Sequence, residues 1–416
     1  MNTSNPEAHS NNSPMMSLPQ ALEKILNSIK PIEATESRKI MDAFGRVLAE
    51  PVKSPINVPP YRNSAMDGYA VCGSDLPASG EVPLKLIGTS WAGTPFAGEV
   101  HAGECVRIMT GAKVPEGADT VIMQEDVRAK ENEITIGSGH KIDQNVRHIG
   151  EDITKGNVVL QPGKLLKAAE LGLLASLGIA TVKVRSQLRV AFFSTGDELR
   201  AVGETLEEGQ IYDSNRYTIY GMLKGLDVEI HDLGVIRDKR EDVEAAFTKA
   251  SEIADVVFTS GGVSVGDADF VKETLEKLGQ VSLWKIAMKP GKPLAFGRIG
   301  KAWFFGLPGN PVSAMATFYQ VALPALQKLM GQDICKPLTL KVPTLDRLKK
   351  SPGRMDFQRG ILDYENEQLI VRSIGAQGSH ILSSMSRANC FIILPAESAT
   401  VEAGSMVEVQ PFAGLM

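Results

Sequence analysis

LRVAFFSTGDEL, residues 188–199, is a largely apolar run of eight residues that breaks into a glycine and two carboxylates. A short run rich in Val and Phe and closed by a turn reads as a buried strand. The pattern recurs. VEIHDLGVI (228–236) and ADVVFTS (254–260) are further strands, and amphipathic stretches around 216–225, 240–253 and 269–278 read as helices. Strand, loop and helix in repetition predict a parallel α/β domain over 187–335, with its ligand at the carboxyl ends of the strands. STGDEL, VIRD (235–238) and SGGVSVGDAD (260–269) follow such strands, which places three carboxylate-bearing loops on one rim.

Three glycine/proline loops fall close together in this domain: FTSGGVSVGDAD (258–269), MKPGKP (288–293) and GLPGNPVS (306–313). Gly261, Gly262, Gly266, Gly291 and Gly309 lack a Cβ, so backbone N–H groups can approach a bound oxyanion closely. Lys289 and Lys292 add positive charge, while Pro308 and Pro311 stiffen the third loop. Asp267 and Asp269 suit a helix N-cap. Beside a phosphate cradle they also suit a hard cation such as Mg²⁺. Asp197 and Glu198 are equally at home in a first helical turn, and Asp238 in a turn.

Working outward, 416 residues with 43% hydrophobic composition supply two to four domains. A net charge of −5 excludes a general nucleic-acid binder and favours a small-molecule partner. The absence of a membrane-length apolar run or a secretory core predicts a soluble, cytoplasmic protein. Cys72, Cys105, Cys335 and Cys390 stand singly, which excludes a zinc knuckle and a disulfide framework and predicts small core residues.

Residues 1–16 read as a disordered tail. Leu18, Leu22, Ile25, Leu26 and Ile29 recur at helical spacing, SRKIMDAFGRVLAE (37–50) predicts a second helix, and LLKAAELGLLASLG (165–178) resumes the pattern. Between them short β-type runs such as VIMQEDV and EITIGSG are punctuated by turn residues. The expected layout is an elongated helical domain (17–52 and 150–186) with a β-rich domain (53–149) inserted into it. After the α/β domain, residues 336–416 alternate strands and turns as a small β-barrel-like domain. Seven Lys/Arg against two Asp over 336–360, Arg354 and Arg359 among them, could complement an anionic ligand.

NSAMDGYAV (63–71), RIMTGAKVPEGADTVIMQE (107–125), GEDI (150–153), FSTGDEL, IYDSN (211–215), TSGGVSVGDAD, MKPGKP and GLPGNPVSA together resemble the molybdopterin molybdenumtransferases, the MoeA-type enzymes related to the E domain of gephyrin. Eight motifs in family order make the resemblance specific, and it runs from about residue 17 to the C-terminus. It implies insertion of molybdate into adenylated molybdopterin, a pterin dithiolene, with Mg²⁺, to give molybdenum cofactor and AMP. It also implies a homodimer with a composite site, a molybdopterin adenylyltransferase upstream and molybdoenzyme apoproteins downstream.

Carried over residue by residue, the resemblance makes Asp67, Asp152, Glu198, Asp238 and Asp269 catalytic, with Asp238 and Asp269 as metal ligands. Thr110, Gly261, Gly262, Ser264, Lys289, Lys292, Pro308, Pro311, Arg359, Ser379 and Ser383 become substrate-binding. The alternatives are the adenylyltransferase step itself, which would need ATP, and a gephyrin-like scaffold, which would need neither ATP nor molybdate.

Overall fold

The computed structural model describes residues 15–261, 274, 275, 277–334 and 336–412. Gly262, Ser264, Gly266, Asp267 and Asp269, and Cys335, lie outside the described residues. The central sheet has six strands in the order Val228–Ile236, Leu188–Thr195, Val256–Ser260, Ala302–Leu307, Pro293–Ile299, Gly279–Lys285. The first four are parallel neighbours, whereas the last two run antiparallel to the strands beside them. The expectation of an all-parallel sheet is corrected there. Only Gly300 and Lys301 join Pro293–Ile299 to Ala302–Leu307, and so short a link can close a hairpin but not a crossover.

Successive side chains of the inner strands point to opposite faces and fill two cores. Phe192, Phe258 and Phe305 pack with Ile219 and Leu223 of the helix Ser214–Lys224, and with Leu18, Ala21 and Ile25 of Leu18–Ser28. Ala191, Phe193, Val257 and Phe304 pack with Val243, Phe247 and Ala250 of Arg240–Ile253. The ring of Phe247 meets those of Phe193 and Phe304 edge-on, at 5.0 and 5.5 Å between centroids. After Pro311–Thr317 the helical chain widens into a π turn, Phe318–Ala322, before Leu323–Leu329. Pro324, which has no N–H and crowds the carbonyl four residues back, accounts for that interruption.

The N-terminal segment departs from the helical expectation. Thr35–Lys39 is a strand, antiparallel to Thr181–Arg185, followed by a single 3₁₀ turn at Ile40–Asp42. Backbone pairing with 181–185 overrides the helical period of 37–50. Met41 and Phe44, which a helix would have turned inward, are left 84% and 64% exposed. Structure also begins before Ser17, because Met16 pairs beside Ile286 through hydrogen bonds with Lys285 and Ala287. GDEL is no helical turn either. Leu199–Arg200 forms a short strand against Ile211–Tyr212, leaving Asp197 and Glu198 on the turn before it.

A separate six-stranded sheet, from Gly68–Val71 to Glu133–Gly137, has its own cores around Val106 and Ile134. In the C-terminal segment Met355–Glu365, Cys390–Leu394, Met406–Pro411 and Leu340–Pro343 are consecutive neighbours, and Gln368–Ser373 pairs with the first. A bridge from Thr344 to Val371 joins the two edges and curls the sheet on itself. Cys105 and Cys390 are buried, and burial pushes both thiols up to about 12, which removes them as nucleophiles at neutral pH.

Candidate functional site

The decisive contact is short. Met288–Lys289 pairs in parallel with Met355 and Asp356 and so joins the MKPGKP loop to the C-terminal sheet. Gly291 turns that loop at φ +108, and a Cβ there would sit 2.6 Å from Thr317 Oγ1. Gly261 leaves the neighbouring strand at φ +91, where a Cβ would meet the Thr195 carbonyl oxygen at 2.8 Å. Both turns therefore require glycine. Val312 N donates to Ser379 O at 3.1 Å, drawing the 376–379 segment against the GLPGNPVS loop.

These segments enclose a cavity of about 600 Å³. Gly261, Lys289, Lys292, Pro308 and Ser379, all read from the sequence as binding residues, line it. Arg354, Gln377, Asn310 and Ser313 line it as well, and no binding role had been drawn for them from the sequence. Arg354 had a signal in the basic run 336–360, but nothing there distinguished it from its neighbours. Three cationic side chains from two domains thus converge on backbone-rich walls. That set can hold a tetrahedral oxyanion through charge-assisted hydrogen bonds. A larger cavity, about 700 Å³, lies between Met315, Leu382 and Phe412, but no charged side chain lines it.

Arg359 is placed differently from the expectation. It is 1% exposed and absent from the lining, and it donates to Ser384 Oγ at 3.0 Å and to Gly378 O at 2.9 Å. Arg354, in the bend just before the strand Met355–Glu365, reaches the cavity, whereas Arg359 is buried within that strand. Burial lowers its pKa to about 10, against the pull of Asp356, so it stays charged at neutral pH. Ser383 starts the short helix Ser383–Arg387 and does not line the cavity, and neither does Pro311. The buried carboxylate of Asp356 lies 3.7 Å from Lys289 Nζ and accepts from Gln358 Nε2 at 3.2 Å.

At the ends of the parallel strands, the Asp238 amide donates to Asp197 Oδ1 at 3.2 Å. Burial first, then repulsion from Asp197 and Glu198, raises the Asp238 pKa above the usual carboxylate value. Among the described residues no group of three or more His, Cys, Asp or Glu side chains closes around one point. At the same strand ends Ser194 Oγ, Thr195 Oγ1 and Thr259 Oγ1, and at the helix cap Asp213 Oδ2, are buried without a partner among the described residues.

Asp67 and Thr110 meet on the β-rich domain. The backbone N–H and the hydroxyl of Thr110 both donate to Asp67 Oδ1 at 2.7 Å and hold that carboxyl below its ordinary range. Asp152 lines another cavity, about 580 Å³, with Asn63, Arg147 and Glu151. Within one chain, neither Asp67, Thr110 nor Asp152 reaches the lining of the cationic cavity.

Residues 16–178 match the MoeA N-terminal region (domain I and II), 191–328 a probable molybdopterin binding domain, and 341–412 the MoeA C-terminal region (domain IV). A molybdopterin molybdenumtransferase of Haemophilus influenzae is 51% identical over 407 residues, covering 97% of this chain and all of that relative. Gephyrin of Dictyostelium discoideum is 34% identical over 93% of this chain and 60% of its own length. The crystal structure of the molybdopterin biosynthesis MoeA protein from Pyrococcus horikoshii OT3 superposes with a TM-score of 0.83 at 29% identity, over 96% of this chain and 100% of that one.

Proposed function

Because the chain belongs to the molybdopterin molybdenumtransferase family, transferases of molybdenum cofactor biosynthesis, we propose that it inserts molybdate into adenylated molybdopterin and releases AMP. One observation carries the reading: Lys289, Lys292 and Arg354 converge on a cavity walled by glycine and proline backbone. Molybdate is a tetrahedral dianion. Three cations offset by the Asp356 carboxylate beside Lys289 leave an excess positive charge that matches the dianion, and the stiff loops lose little entropy when they grip it.

The pterin phosphate and its anhydride belong at the strand ends beside this cavity. The hydroxyls of Ser194, Thr195 and Thr259, buried and without a partner among the described residues, supply donors there, since a ligand can complete such groups. Asp238 with Asp269 would hold Mg²⁺, and the mutual repulsion of Asp238, Asp197 and Glu198 is the kind of strain a divalent cation relieves. Bound there, Mg²⁺ would polarise the anhydride phosphorus as a Lewis acid. The protein's own part is to position the two substrates and to gather the carboxylates beside the leaving phosphate.

Asp67, Thr110 and Asp152 then complete the site from a second subunit. Exposed Ile211, Tyr212, Tyr217 and Tyr220 offer apolar surface for such a homodimer. An adenylyltransferase would supply the substrate, and molybdoenzyme apoproteins in the cytoplasm would take the product. Among the described residues no helix is long and apolar enough to cross a membrane.

The test is AMP release from adenylated molybdopterin. Release should require molybdate and not ATP, and Lys292→Ala should raise the molybdate KM at least about tenfold. Release that ignores molybdate, or that needs ATP, overturns the reading.

A further inference from the structure

Asn215 stands in the first turn of the helix Ser214–Lys224 and is 8% exposed. Asp213 holds that turn in place by accepting from Arg216 N at 3.0 Å. The Asn215 amide nitrogen donates twice, to Ser260 Oγ at 2.7 Å and to Gly309 O at 2.7 Å. Its two acceptors belong to two different walls. Ser260 immediately precedes Gly261, and both Gly261 and Gly309 line the cationic cavity.

The backbone ladder between those walls stops at this point. Ser260 and Leu307 are the last paired residues of Val256–Ser260 and Ala302–Leu307. Pro308, next in line, has no N–H with which to extend the pairing. A side-chain amide carries two N–H donors, and here both are used across the gap. The orientation of the amide is fixed, because the Gly309 carbonyl can only accept. Turning the amide over would set two oxygens against each other.

We propose that Asn215 is a positioning residue: it replaces the missing rung of the ladder, fixes the separation of the Gly261 and Gly309 walls, and so sets the width of the oxyanion cavity. The residue acts through the two loops and touches no reacting atom. Its role is selective for the small anion, since the cavity width governs how the cationic groups meet a tetrahedral ligand. The proposal rests on the reading of that cavity as the molybdate site.

Asn215→Asp keeps the shape and removes both donors, placing a carboxylate against the Gly309 carbonyl. Molybdate binding by equilibrium dialysis and steady-state AMP release would be measured together. The variant should raise the molybdate Kd and KM about tenfold or more, as expected when charge-assisted hydrogen bonds to the anion are lengthened. The KM for adenylated molybdopterin and kcat at saturating molybdate should stay within about twofold. Ser260→Ala should give a smaller loss that is not additive with Asn215→Asp, since both break one bridge. If Asn215→Asp does not fold, Asn215→Ser, which keeps one donor, should fall between it and the wild type.

An unchanged molybdate Kd in the folded Asn215 variant overturns the proposal. So does an equal rise in both KM values, which would mean general loosening of the site. Lys292→Ala separates the two levels. If it leaves molybdate binding intact, the cavity assignment fails; if it weakens binding while the Asn215 variants do not, only the clamp fails.

Discussion

Asp238 shows how a single carboxyl reports its surroundings. Its pKa is raised, chiefly by burial and further by Asp197 and Glu198. Between the ordinary carboxylate value and the raised one, the folded protein holds a proton that the unfolded chain has lost, so stability falls as pH rises through that window. Asp238→Asn should therefore raise the melting temperature at neutral pH and leave it unchanged in acid, below the ordinary Asp value. A differential-scanning series over pH would check this, and a lower neutral melting temperature would contradict it. Asp67 has the opposite sign. The donors of Thr110 favour its ionised form, and that contribution is present above the ordinary value and lost as pH falls through the lowered one. At this scale the sequence identified Lys289 and Lys292 from residue type alone. It could not separate Arg354 from Arg359, because which of the two lines the cavity depends on where the strand Met355–Glu365 docks: Arg354 precedes it in a bend, and Arg359 is buried within it.

At the scale of elements, Arg359 ties the helix Ser383–Arg387 and the 376–379 segment to its own strand. The planar guanidinium serves a hydroxyl and a carbonyl together, which an ammonium cannot reproduce. Arg359→Lys should cost about 2–4 kcal/mol of stability by urea denaturation, because buried acceptors lose their donor. The folded fraction should retain molybdate affinity. A rise in Kd with an unchanged denaturation midpoint would instead make Arg359 a ligand. Element type was legible where the period was long or the run continuous, as in Arg240–Ile253 and Leu188–Thr195. It was misread at 37–50, where an amphipathic pattern meets an unpaired strand. The edge of Thr181–Arg185 captures that segment, and the saving in backbone hydrogen bonds outweighs its local helix preference.

For the whole molecule, the expectation concerns two chains. If Asp67 and Lys292 form one composite site drawn from different subunits, Asp67→Ala and Lys292→Ala homodimers should each lose most AMP release at molybdate well below the raised KM. Mixed dimers would carry one intact site out of two. Refolding the two variants together in equal amounts should restore about a quarter of wild-type AMP release, because about half the dimers are mixed. Recovery of nothing at all would place both residues in the same subunit. The proposal of a second chain rests on the lining of the cationic cavity, which contains neither Asp67 nor Asp152.

The amino-acid sequence by itself determined three strands of the α/β domain, Leu188–Thr195, Val228–Ile236 and Val256–Ser260, the turns at Gly261 and Gly291, the stiff Pro308–Pro311 loop and the family. These follow from local causes: side-chain periodicity, backbone freedom at glycine and its loss at proline. Tertiary structure alone decided that Met288–Lys289 pairs with Met355–Asp356, that Arg354 rather than Arg359 lines the cationic cavity, and that Asn215 spans the gap left by Pro308. Each of these joins segments far apart in the chain. Such contacts are set by strand register and by which backbone groups remain unpaired once the sheets have formed, and no local propensity encodes them.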